Sequence, residues 1–195
     1  KLVGVGNEKF SEKYLKCDTK KNINYKEKYY SELAFHYWYW QNILPNEKQD
    51  WIGFCQKRRF WINPEKDQNL ITSENLNEFL LPEIDDKLSK SESFICSPIN
   101  LTGVKKMKMI KRGWKNLIKD PNIFFNNQKH TIALHFDMHH GYNNLNKAIN
   151  LLDRENKKDF FDFVNNKTYF NPNIMCISRP DVLERWFKSL FSWLE

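Results

Sequence analysis

The chain has 195 residues, of which 41% are hydrophobic and 15% aromatic, and it carries a formal net charge of +7. This apolar content excludes an intrinsically disordered chain, and the length suits one sizeable core, so we predict a single domain over residues 1–195. The positive charge favours an anionic partner such as a nucleotide, a nucleic acid or an acidic membrane surface. A residue usage skewed towards Lys and Asn explains the same charge equally well.

The cysteines show no pattern of a metal site or a disulfide framework. Cys17, Cys55, Cys96 and Cys176 lie far apart and form no Cys-x-x-Cys pair, so we expect reduced thiols. No segment approaches the ~18 apolar residues of a membrane span, and the first residues lack a signal-peptide pattern. We therefore expect a cytoplasmic protein. The missing initiator Met predicts that the sequence begins inside a longer gene product.

In the first half of the chain, short strands are predicted around one long aromatic helix. The predicted elements are, in order, a buried strand end at 2–5, a helix over 25–43, a strand at 51–55, a helix over 73–81 and a strand at 94–96. The aromatic helix has one apolar stripe, formed by Tyr29, Leu33, Tyr37 and Trp40. Ser73 is the predicted N-cap of the next helix, since an acidic first turn follows it.

The second half is predicted to be rich in helix. The predicted elements are helices over 107–118, 131–140, 145–152 and 160–164, a strand at 174–177 and a helix over 181–194. Pro180 suits the first position of the last helix, where its missing N–H costs nothing. Strands and helices interleave along the chain, which predicts a layered α/β fold with a helix-rich C-terminal half.

The strand at 51–55 runs directly into four polar residues, Gln56, Lys57, Arg58 and Arg59. In layered α/β folds, ligands collect at the carboxyl ends of strands. Two permanently charged guanidinium groups at such an end can bind a diphosphate through paired hydrogen bonds. The alternative is a pair of surface arginines that bind Glu or Asp side chains. The spacing leaves both interpretations open.

Glu32 lies opposite the aromatic stripe of the helix over 25–43. A carboxylate among so many aromatic side chains is either a partnered structural group or an acceptor for the hydroxyl groups of a ligand. The helical pattern alone does not decide between these roles.

Three histidines and an aspartate cluster in the helix over 131–140. His135 and His139 are four residues apart and share a helix face with His140 and Asp137 nearby, which fits a metal site or proton transfer. The cluster lacks the Glu of the His-Glu-x-x-His zinc pattern. Polar contacts to a ligand and a purely structural role are the alternatives.

Residues 105–119 predict a basic amphipathic helix. Its apolar residues Met107, Ile110, Trp114 and Ile118 are typical of a helix packed on a core, and a membrane-surface anchor is the alternative.

Three segments resemble the signature of a known family. They are 30–34 (Tyr-Ser-Glu-Leu-Ala), 37–42 (Tyr-Trp-Tyr-Trp-Gln-Asn) and 50–60 (Asp-Trp-Ile-Gly-Phe-Cys-Gln-Lys-Arg-Arg-Phe). They resemble the patterns Cys-Glu-Leu-Thr, Tyr-Trp-x-Trp-Lys-Asn and Asp-Tyr-Ile-Gly-Leu-x-His-Tyr-Arg-Arg-Tyr. These patterns are typical of a bacterial family of capsular and exopolysaccharide glycosyltransferases that is catalogued largely as a domain of unknown function.

Further landmarks extend the resemblance over nearly the whole chain. In order, they are Asp18-Thr19, Asn22-Ile23, His140, Leu145, the segment 173–177 that begins with Asn173, and the final helix with Trp186, Leu190, Phe191 and Leu194. The opening strand of the family has no counterpart, which again predicts a start inside a longer protein.

The resemblance implies a GT-A-like fold that binds a nucleotide-sugar donor and acts as a glycosyltransferase of the hexosyltransferase type. The sequence contains no Asp-x-Asp motif, so we expect no divalent metal. Arg58 and Arg59 would then stabilise the negative charge that builds on the departing diphosphate.

The resemblance also implies roles for other residues. The donor side would include Ser31, Glu32, Gln56, Lys57, Asn22 and Asp18. His140 or Asp137 would act in catalysis, and the acceptor side would include His135, His139 and Asn173. The acceptor would be a saccharide or a lipid-linked saccharide. A protein that uses such an acceptor can associate peripherally with the inner face of the cytoplasmic membrane.

Several residues depart from the family pattern. Gln56 and Lys57 replace His-Tyr, Ser31 replaces Cys, and Ala34 replaces Thr. Gln56 cannot take over proton transfer from a histidine, so a catalytically inactive GT-A-like relative is one alternative. A basic nucleic-acid-binding module is a less favoured alternative, and a metal-dependent hydrolase built on His135 and His139 is another.

Overall fold

The computed structural model of the chain describes residues 1–84 and 90–195, and these fall into two compact units. Unit 1 comprises Lys1–Cys96 and Ile174–Glu195, and unit 2 comprises Ser97–Asn173. Unit 2 is therefore inserted between the two segments of unit 1. The single domain over residues 1–195 stays a prediction.

The described residues form a mixture of short strands and longer helices. The strands are β1 Val3–Gly4, β2 Leu15–Lys16, β3 Ile52–Gly53, β4 Ser93–Ile95, β5 Ile99–Asn100, β6 Tyr169–Phe170 and β7 Cys176–Ser178. The helices are α1 Glu27–Tyr30, α2 Leu33–Asn42, α3 Leu76–Phe79, α4 Lys106–Lys119, α5 Ile132–His140, α6 Asn144–Ile149, α7 Arg154–Asn166 and α8 Pro180–Leu194. This content confirms the predicted α/β class and the helix-rich C-terminal half.

A three-stranded sheet in the order β3-β7-β4 lies at the centre of unit 1. The middle strand β7 is buried along its whole length and pairs antiparallel with both neighbours, so β3 and β4 run parallel to each other. Ser178 of β7 lies opposite Ile52 of β3 and Ser93 of β4. The predicted strand at 174–177 is thus confirmed in type but lies two residues later at its start.

The predicted helix over 25–43 is wrong as a single element. Ser31 separates α1 from α2 because its backbone adopts φ 48° and ψ −127°, which a continuous helix does not contain. The predicted apolar stripe is also wrong at Tyr29, which is exposed. Instead, α2 buries Ala34, His36 and Trp38.

The core of unit 1 is built where α2 and α8 pack beside β3 and β7. From α8, Leu183, Phe187 and Phe191 recur every four residues and are fully buried, which is the periodicity of one helix face. The ring of Phe54, just after β3, lies 6.0 Å from the ring of Phe187. Pro180 at the start of α8 confirms the predicted position of that proline.

The helix predicted over 73–81 is shorter than expected, and its predicted cap is wrong. α3 begins at Leu76 after Asn75. The preceding turn is closed by Thr72, whose hydroxyl oxygen accepts hydrogen bonds from the N–H groups of Glu74 and Asn75 at 3.3 Å. Ser73 lies inside this turn and therefore does not cap the helix.

Unit 2 is a helical unit with one small strand pair. β5 and β6 pair antiparallel, with Ile99 opposite Phe170. The helices pack around two clusters, one that includes Leu145, Ile149 and Val164 and one that includes Met109, Leu134 and Met138.

The predicted boundaries of α4 and α5 are confirmed to within one residue. Thr131 caps α5 by accepting a hydrogen bond from the Leu134 N–H at 3.3 Å. The interpretation of α4's apolar residues as core residues is wrong, since Met107, Ile110, Trp114 and Ile118 are all exposed. Across 1–84 and 90–195, no helix is both long and apolar enough to cross a membrane.

Candidate functional site

Residues 17–24 form a loop in unit 1 that carries two of the predicted donor-binding residues. At the end of this loop, the buried Asn24 accepts a hydrogen bond from the Gly6 N–H at 3.2 Å and donates to the Gly6 carbonyl at 3.4 Å. The Cys17 thiol donates to the Asn24 Oδ1 at 3.6 Å, and burial raises the pKa of this thiol, which keeps it protonated. Asn24 therefore fastens both ends of the loop to the segment after β1.

Helix α2 holds the middle of the same loop. The Trp38 indole donates to the Thr19 carbonyl at 2.9 Å. Asn42 makes two bonds to Lys21, in which its Oδ1 accepts from the N–H at 3.3 Å and its Nδ2 donates to the carbonyl at 2.8 Å. Two side chains that the sequence pattern places on an aromatic helix thus shape the loop.

Asn22 and Asp18 have different positions on this loop. The Asn22 Oδ1 accepts from the Asn24 N–H at 3.1 Å, and its Nδ2 donates to the Lys20 carbonyl at 3.0 Å. Both ends of the Asn22 amide are thus used within the loop, which indicates a structural role. Asp18 is exposed and lines a cleft.

The cleft beside Asp18 has a volume of about 40 Å³ and a mostly polar lining that includes Gly4, Gly6 and Lys16. Gly4 is required there, because a Cβ atom at this position would lie 2.4 Å from the Phe10 ring. Typical ligand pockets measure roughly 300–1,000 Å³, so the cleft is too small to enclose a nucleotide. It offers space for a few atoms between a lysine and a carboxylate.

The predicted pair Ser31 and Glu32 lies between α1 and α2. The Ser31 hydroxyl donates to the Glu32 carboxylate at 3.1 Å. Glu32 is half-buried at the N-terminal end of α2, where the helix dipole favours a negative charge. Ser31 is exposed, so this hydroxyl and carboxylate can both reach a ligand at the surface.

Residues 56–59 form a tight turn, which corrects their predicted place at a strand end. β3 ends at Gly53, and the turn follows three residues later with Gln56 paired to Arg59. The Arg59 guanidinium donates to the Gln56 Oε1 at 2.9 Å, and Lys57 and Arg58 occupy the exposed tip. Neither guanidinium pairs with a carboxylate in the part of the chain that the structure describes. Both arginines also lie outside the cleft lined by Asp18.

A short path of contacts connects Glu32 with this turn. The Glu32 carbonyl accepts a hydrogen bond from the His36 N–H at 3.3 Å. The His36 ring lies 4.4 Å from the ring of Phe54, which precedes Gln56 by two residues. His36 is buried, and it is not among the predicted site residues. Its only signal was a titratable residue amid five aromatic neighbours at 35–40.

In unit 2, the predicted catalytic residue Asp137 has a structural role. Its Oδ2 accepts from the Asn116 amide of α4 at 3.1 Å, and its Oδ1 accepts from the Asn143 N–H at 2.8 Å. Asn143 adopts φ 62°, so this second bond holds a strained turn between α5 and α6. Asp137 therefore joins two helices and a turn.

The predicted histidine pair is confirmed as a pair in space. The rings of His135 and His139 lie 4.4 Å apart, and the His139 Nδ1 lies 2.8 Å from the His135 carbonyl, to which it donates. Burial lowers the pKa of His135, and the nearby His139, Lys108 and His140 lower it further. His140 is exposed and lies 4.5 Å from the Phe136 ring. Within 1–84 and 90–195, no three His, Cys, Asp or Glu side chains lie close enough to hold a metal ion.

Asn173 lies at the end of unit 2 and is partly buried. Its N–H donates to the Asn171 side chain at 3.0 Å, while its own Oδ1 is buried and accepts no hydrogen bond from any described residue. The predicted site residues are therefore divided between the units. Unit 1 contains Asp18, Asn22, Ser31, Glu32, Gln56, Lys57, Arg58 and Arg59, and unit 2 contains His135, Asp137, His139, His140 and Asn173. The loop residue Asn24 was missed because its partner Gly6 is far away in sequence.

Comparison with solved structures gives a likeness of fold. The chain is similar to the apo structure of the WbbM bifunctional glycosyltransferase, with a TM-score of 0.58 and 19% sequence identity. The match covers 93% of this chain and 30% of that chain, so the chain spans less than a third of the length of that protein. No curated protein matches the sequence. The family model described as a domain of unknown function, DUF4422, matches residues 2–195, and the chain therefore belongs to this family.

Proposed function

We propose that the chain is a glycosyltransferase domain that binds a nucleotide-sugar donor and transfers the sugar to a saccharide acceptor. The likeness of fold to a glycosyltransferase supports this function. The observation that carries it is the 56–59 turn, where two exposed guanidinium groups face solvent without a carboxylate partner among the described residues. Such groups are available to an anionic ligand.

The chemistry of transfer explains why two arginines are useful. The bond between the anomeric carbon and the diphosphate oxygen breaks, and its electron pair leaves with the nucleoside diphosphate. The acceptor hydroxyl forms the new bond to the anomeric carbon and releases its proton. Negative charge therefore grows on the diphosphate, and Arg58 and Arg59 lower the barrier by donating hydrogen bonds to it.

The Gln56 side chain gives one of these groups a defined direction. Because its Oε1 accepts from the Arg59 guanidinium at 2.9 Å, it restricts the rotamers of a long side chain before the ligand arrives. Restricting an arginine in advance reduces the entropy lost on binding. Ser31 and Glu32 would bind hydroxyl groups of the donor, since they pair with each other at an exposed position.

The finer assignment rests on the resemblance of the segments 30–34, 37–42 and 50–60. From it we propose that the acceptor belongs to a capsular polysaccharide or exopolysaccharide. The predicted roles of His140, His135 and His139 towards the acceptor stay predictions. The same role for Asp137 is less favoured, since both of its oxygens already accept hydrogen bonds.

Calorimetric titration of the protein with uridine, guanosine, cytidine and thymidine diphosphates tests the function. We expect one of them to bind, and the double variant Arg58→Ala/Arg59→Ala to weaken that binding by about tenfold to a hundredfold, since two charge-assisted hydrogen bonds are lost. The double variant Arg154→Ala/Arg185→Ala, which removes two other exposed arginines, is the matched control. Binding of none of the four, or binding unchanged by the turn variant, would overturn the assignment.

An inactive relative is the second candidate, and one observation favours it. Gln56 stands where the family pattern has His, and its oxygen is engaged by Arg59. An inactive relative would bind nucleoside diphosphates but would transfer sugar from no donor. The variant Gln56→His would then be the first change to test for recovered transfer.

A further inference from the structure

Helix α4 presents an apolar stripe to solvent. The stripe consists of Met107, Ile110, Trp114 and Ile118, whose exposed fractions are 64%, 45%, 52% and 73%. At about 100° per residue, these four side chains fall within an arc of roughly 80° on one face of the helix. Contiguous apolar surface of this kind is unusual on a soluble monomer and indicates an interaction site.

The packing of α4 fixes the direction of this stripe. The opposite side of the helix is buried through Met109 and Gly113. Gly113 lies close enough to Met138 that an added Cβ would meet that side chain at 3.3 Å. The Asn116 amide also donates to Asp137 at 3.1 Å. The helix therefore cannot turn the stripe inwards without losing these contacts.

Positive charge accompanies the stripe. Residues 105–119 contain six lysines and one arginine but no Asp or Glu. None of these seven cations pairs with a carboxylate within the ranges that the structure describes. Lys111 and Lys115 follow the stripe on one side of the helix, and the Lys115 ammonium lies 5.5 Å from the Trp114 ring. Long lysine side chains beside an apolar face can extend their charges outwards while their methylene groups remain in apolar contact.

We propose that α4 binds the surface of an anionic lipid bilayer, lying in the plane of the interface with the stripe among the acyl chains. A Trp and aliphatic residues on one face with lysines beside it match the chemistry of interfacial helices. Anionic head groups supply the opposite charge, at about 1 kcal/mol for each Lys or Arg near the surface.

Two other occupants fit less well. A nucleic acid would attract the lysines, but three of the four stripe residues are aliphatic and offer no aromatic face for base stacking. A second copy of the chain would bring seven cations against seven, which repel one another. Lipid binding does not depend on the proposed sugar transfer, because it requires neither a donor nor the 56–59 turn.

Vesicle flotation of the whole chain tests the membrane surface. The probes are vesicles of phosphatidylcholine alone and of phosphatidylcholine mixed with phosphatidylglycerol. We expect the protein to float with the mixed vesicles and to remain below with the neutral ones. The double variant Trp114→Ser/Ile118→Ser should lower the vesicle partition coefficient by at least tenfold, and Lys111→Glu/Lys115→Glu should lower it by about tenfold or more.

Matched control variants distinguish binding by the stripe from non-specific binding through other exposed residues. Leu70→Ser/Leu151→Ser removes two other exposed leucines, and Lys147→Glu/Lys167→Glu reverses two other exposed lysines. Both controls should float as the unchanged protein does. Circular dichroism and thermal unfolding should show that all four variants fold, because the changed side chains are exposed.

Three outcomes would overturn the assignment. The first is no flotation with the mixed vesicles. The second is flotation that the stripe variant leaves unchanged. The third is that the unchanged protein binds a single-stranded oligonucleotide, or forms a dimer in sedimentation without lipid, and that the stripe variant loses this binding.

Discussion

The ring of His36 lies 4.4 Å from the ring of Phe54, and this contact joins helix α2 to the segment that leads into the 56–59 turn. His36 also lies 5.8 Å from Phe187 and 6.2 Å from Trp186. Its Nδ1 is buried and has no hydrogen-bond partner among the described residues. The imidazole thus packs as a fourth aromatic ring, a role that only its neutral form can fill.

The stability of unit 1 should therefore fall in acid. Burial lowers the pKa of His36 from 6.5 to about 4. Between these two pH values, His36 binds a proton in the unfolded chain but stays neutral in the folded chain. The stability from this residue is therefore full above pH 6.5 and declines as the pH falls towards 4. The loss should reach roughly 3 kcal/mol. Urea unfolding of the protein at a series of pH values measures it.

The variant His36→Phe isolates this effect from other acid-sensitive groups. It keeps an aromatic ring in the same place and cannot be protonated, so its unfolding free energy should decline less between pH 6.5 and 4. His140→Phe is the matched control, because His140 is exposed. Parallel pH profiles for His36→Phe and the unchanged protein would contradict this role.

The loop at 17–24 should depend on Asn24 for its stability. Replacement by Ala leaves the Gly6 N–H and carbonyl without their side-chain partners in a partly buried place. Unsatisfied buried groups cost about 1–3 kcal/mol each, so we expect Asn24→Ala to lower the free energy of unfolding by about 2–3 kcal/mol. Asn46→Ala, at an exposed position, should change it by less than about 0.5 kcal/mol. Equal losses in the two variants would rule out the anchoring role.

Local signals explain which parts of the fold the sequence predicts well. Thr131 and Pro180 act within a turn of the helices that they begin, so α5 and α8 start where expected. The two-residue strands β5 and β6 were not predicted, because Ile99 finds its partner Phe170 only after the intervening helices are placed. The hydrophobic periodicity of residues 25–43 does not indicate the break at Ser31, because this break depends on backbone geometry and not on hydrophobic spacing.

The candidate site shows the same difference between local signals and partners that are distant in sequence. Gln56 and Arg59 are three residues apart, so a segment that the sequence singled out as one motif forms one turn. The anchoring of Asp18 and Asn22 depends on Trp38 and Asn42, which are about twenty residues away and lie on a helix predicted for its core packing. A single sequence reveals motifs whose residues are close together along the chain. It does not reveal side chains that hold a loop in place from about twenty residues away.

The close approach of Gly4 and Phe10 gives a test of the cleft. An alanine at position 4 would place its Cβ 2.4 Å from the Phe10 ring, so Gly4→Ala must displace that ring from the cleft wall. We expect Gly4→Ala alone to cost about 1–3 kcal/mol in unfolding free energy. In a Phe10→Ala background the same change should cost less than about 0.5 kcal/mol, since the ring is gone. Additive losses in this double-mutant cycle would show that the two residues do not interact.

Replacing Asp137 distinguishes a structural role of this residue from a catalytic one. Replacing it with Ala removes the acceptors for the Asn116 amide and the Asn143 N–H, so the free energy of unfolding should fall by about 2 kcal/mol. Asp162→Ala, which loses only an exposed pair with Lys158, should lose less than about 1 kcal/mol. A variant at Asp137 that keeps full stability while losing sugar transfer would instead restore the predicted catalytic role.

Ser31 should show a conflict between stability and binding. Its φ of 48° with ψ of −127° is a conformation that glycine adopts without strain, and a side chain there costs about 1–3 kcal/mol. Glycine also raises the entropy of the unfolded chain, which offsets part of this gain by about 0.5–1 kcal/mol. Ser31→Gly should therefore raise the free energy of unfolding by about 1 kcal/mol. The same variant removes the hydroxyl that donates to Glu32 at 3.1 Å, so donor binding should weaken about threefold to tenfold.

Ser31→Ala completes this comparison, because it removes the hydroxyl but keeps the strained Cβ. Its binding should weaken as much as that of Ser31→Gly, while its stability should not rise. Thermal unfolding and calorimetry with the bound nucleotide sugar measure the two quantities separately. A gain in stability for Ser31→Gly with unchanged donor binding would mean that Ser31 serves only to separate α1 from α2. Weaker binding in both variants would mean that the strain at Ser31 is retained because its hydroxyl reaches the donor.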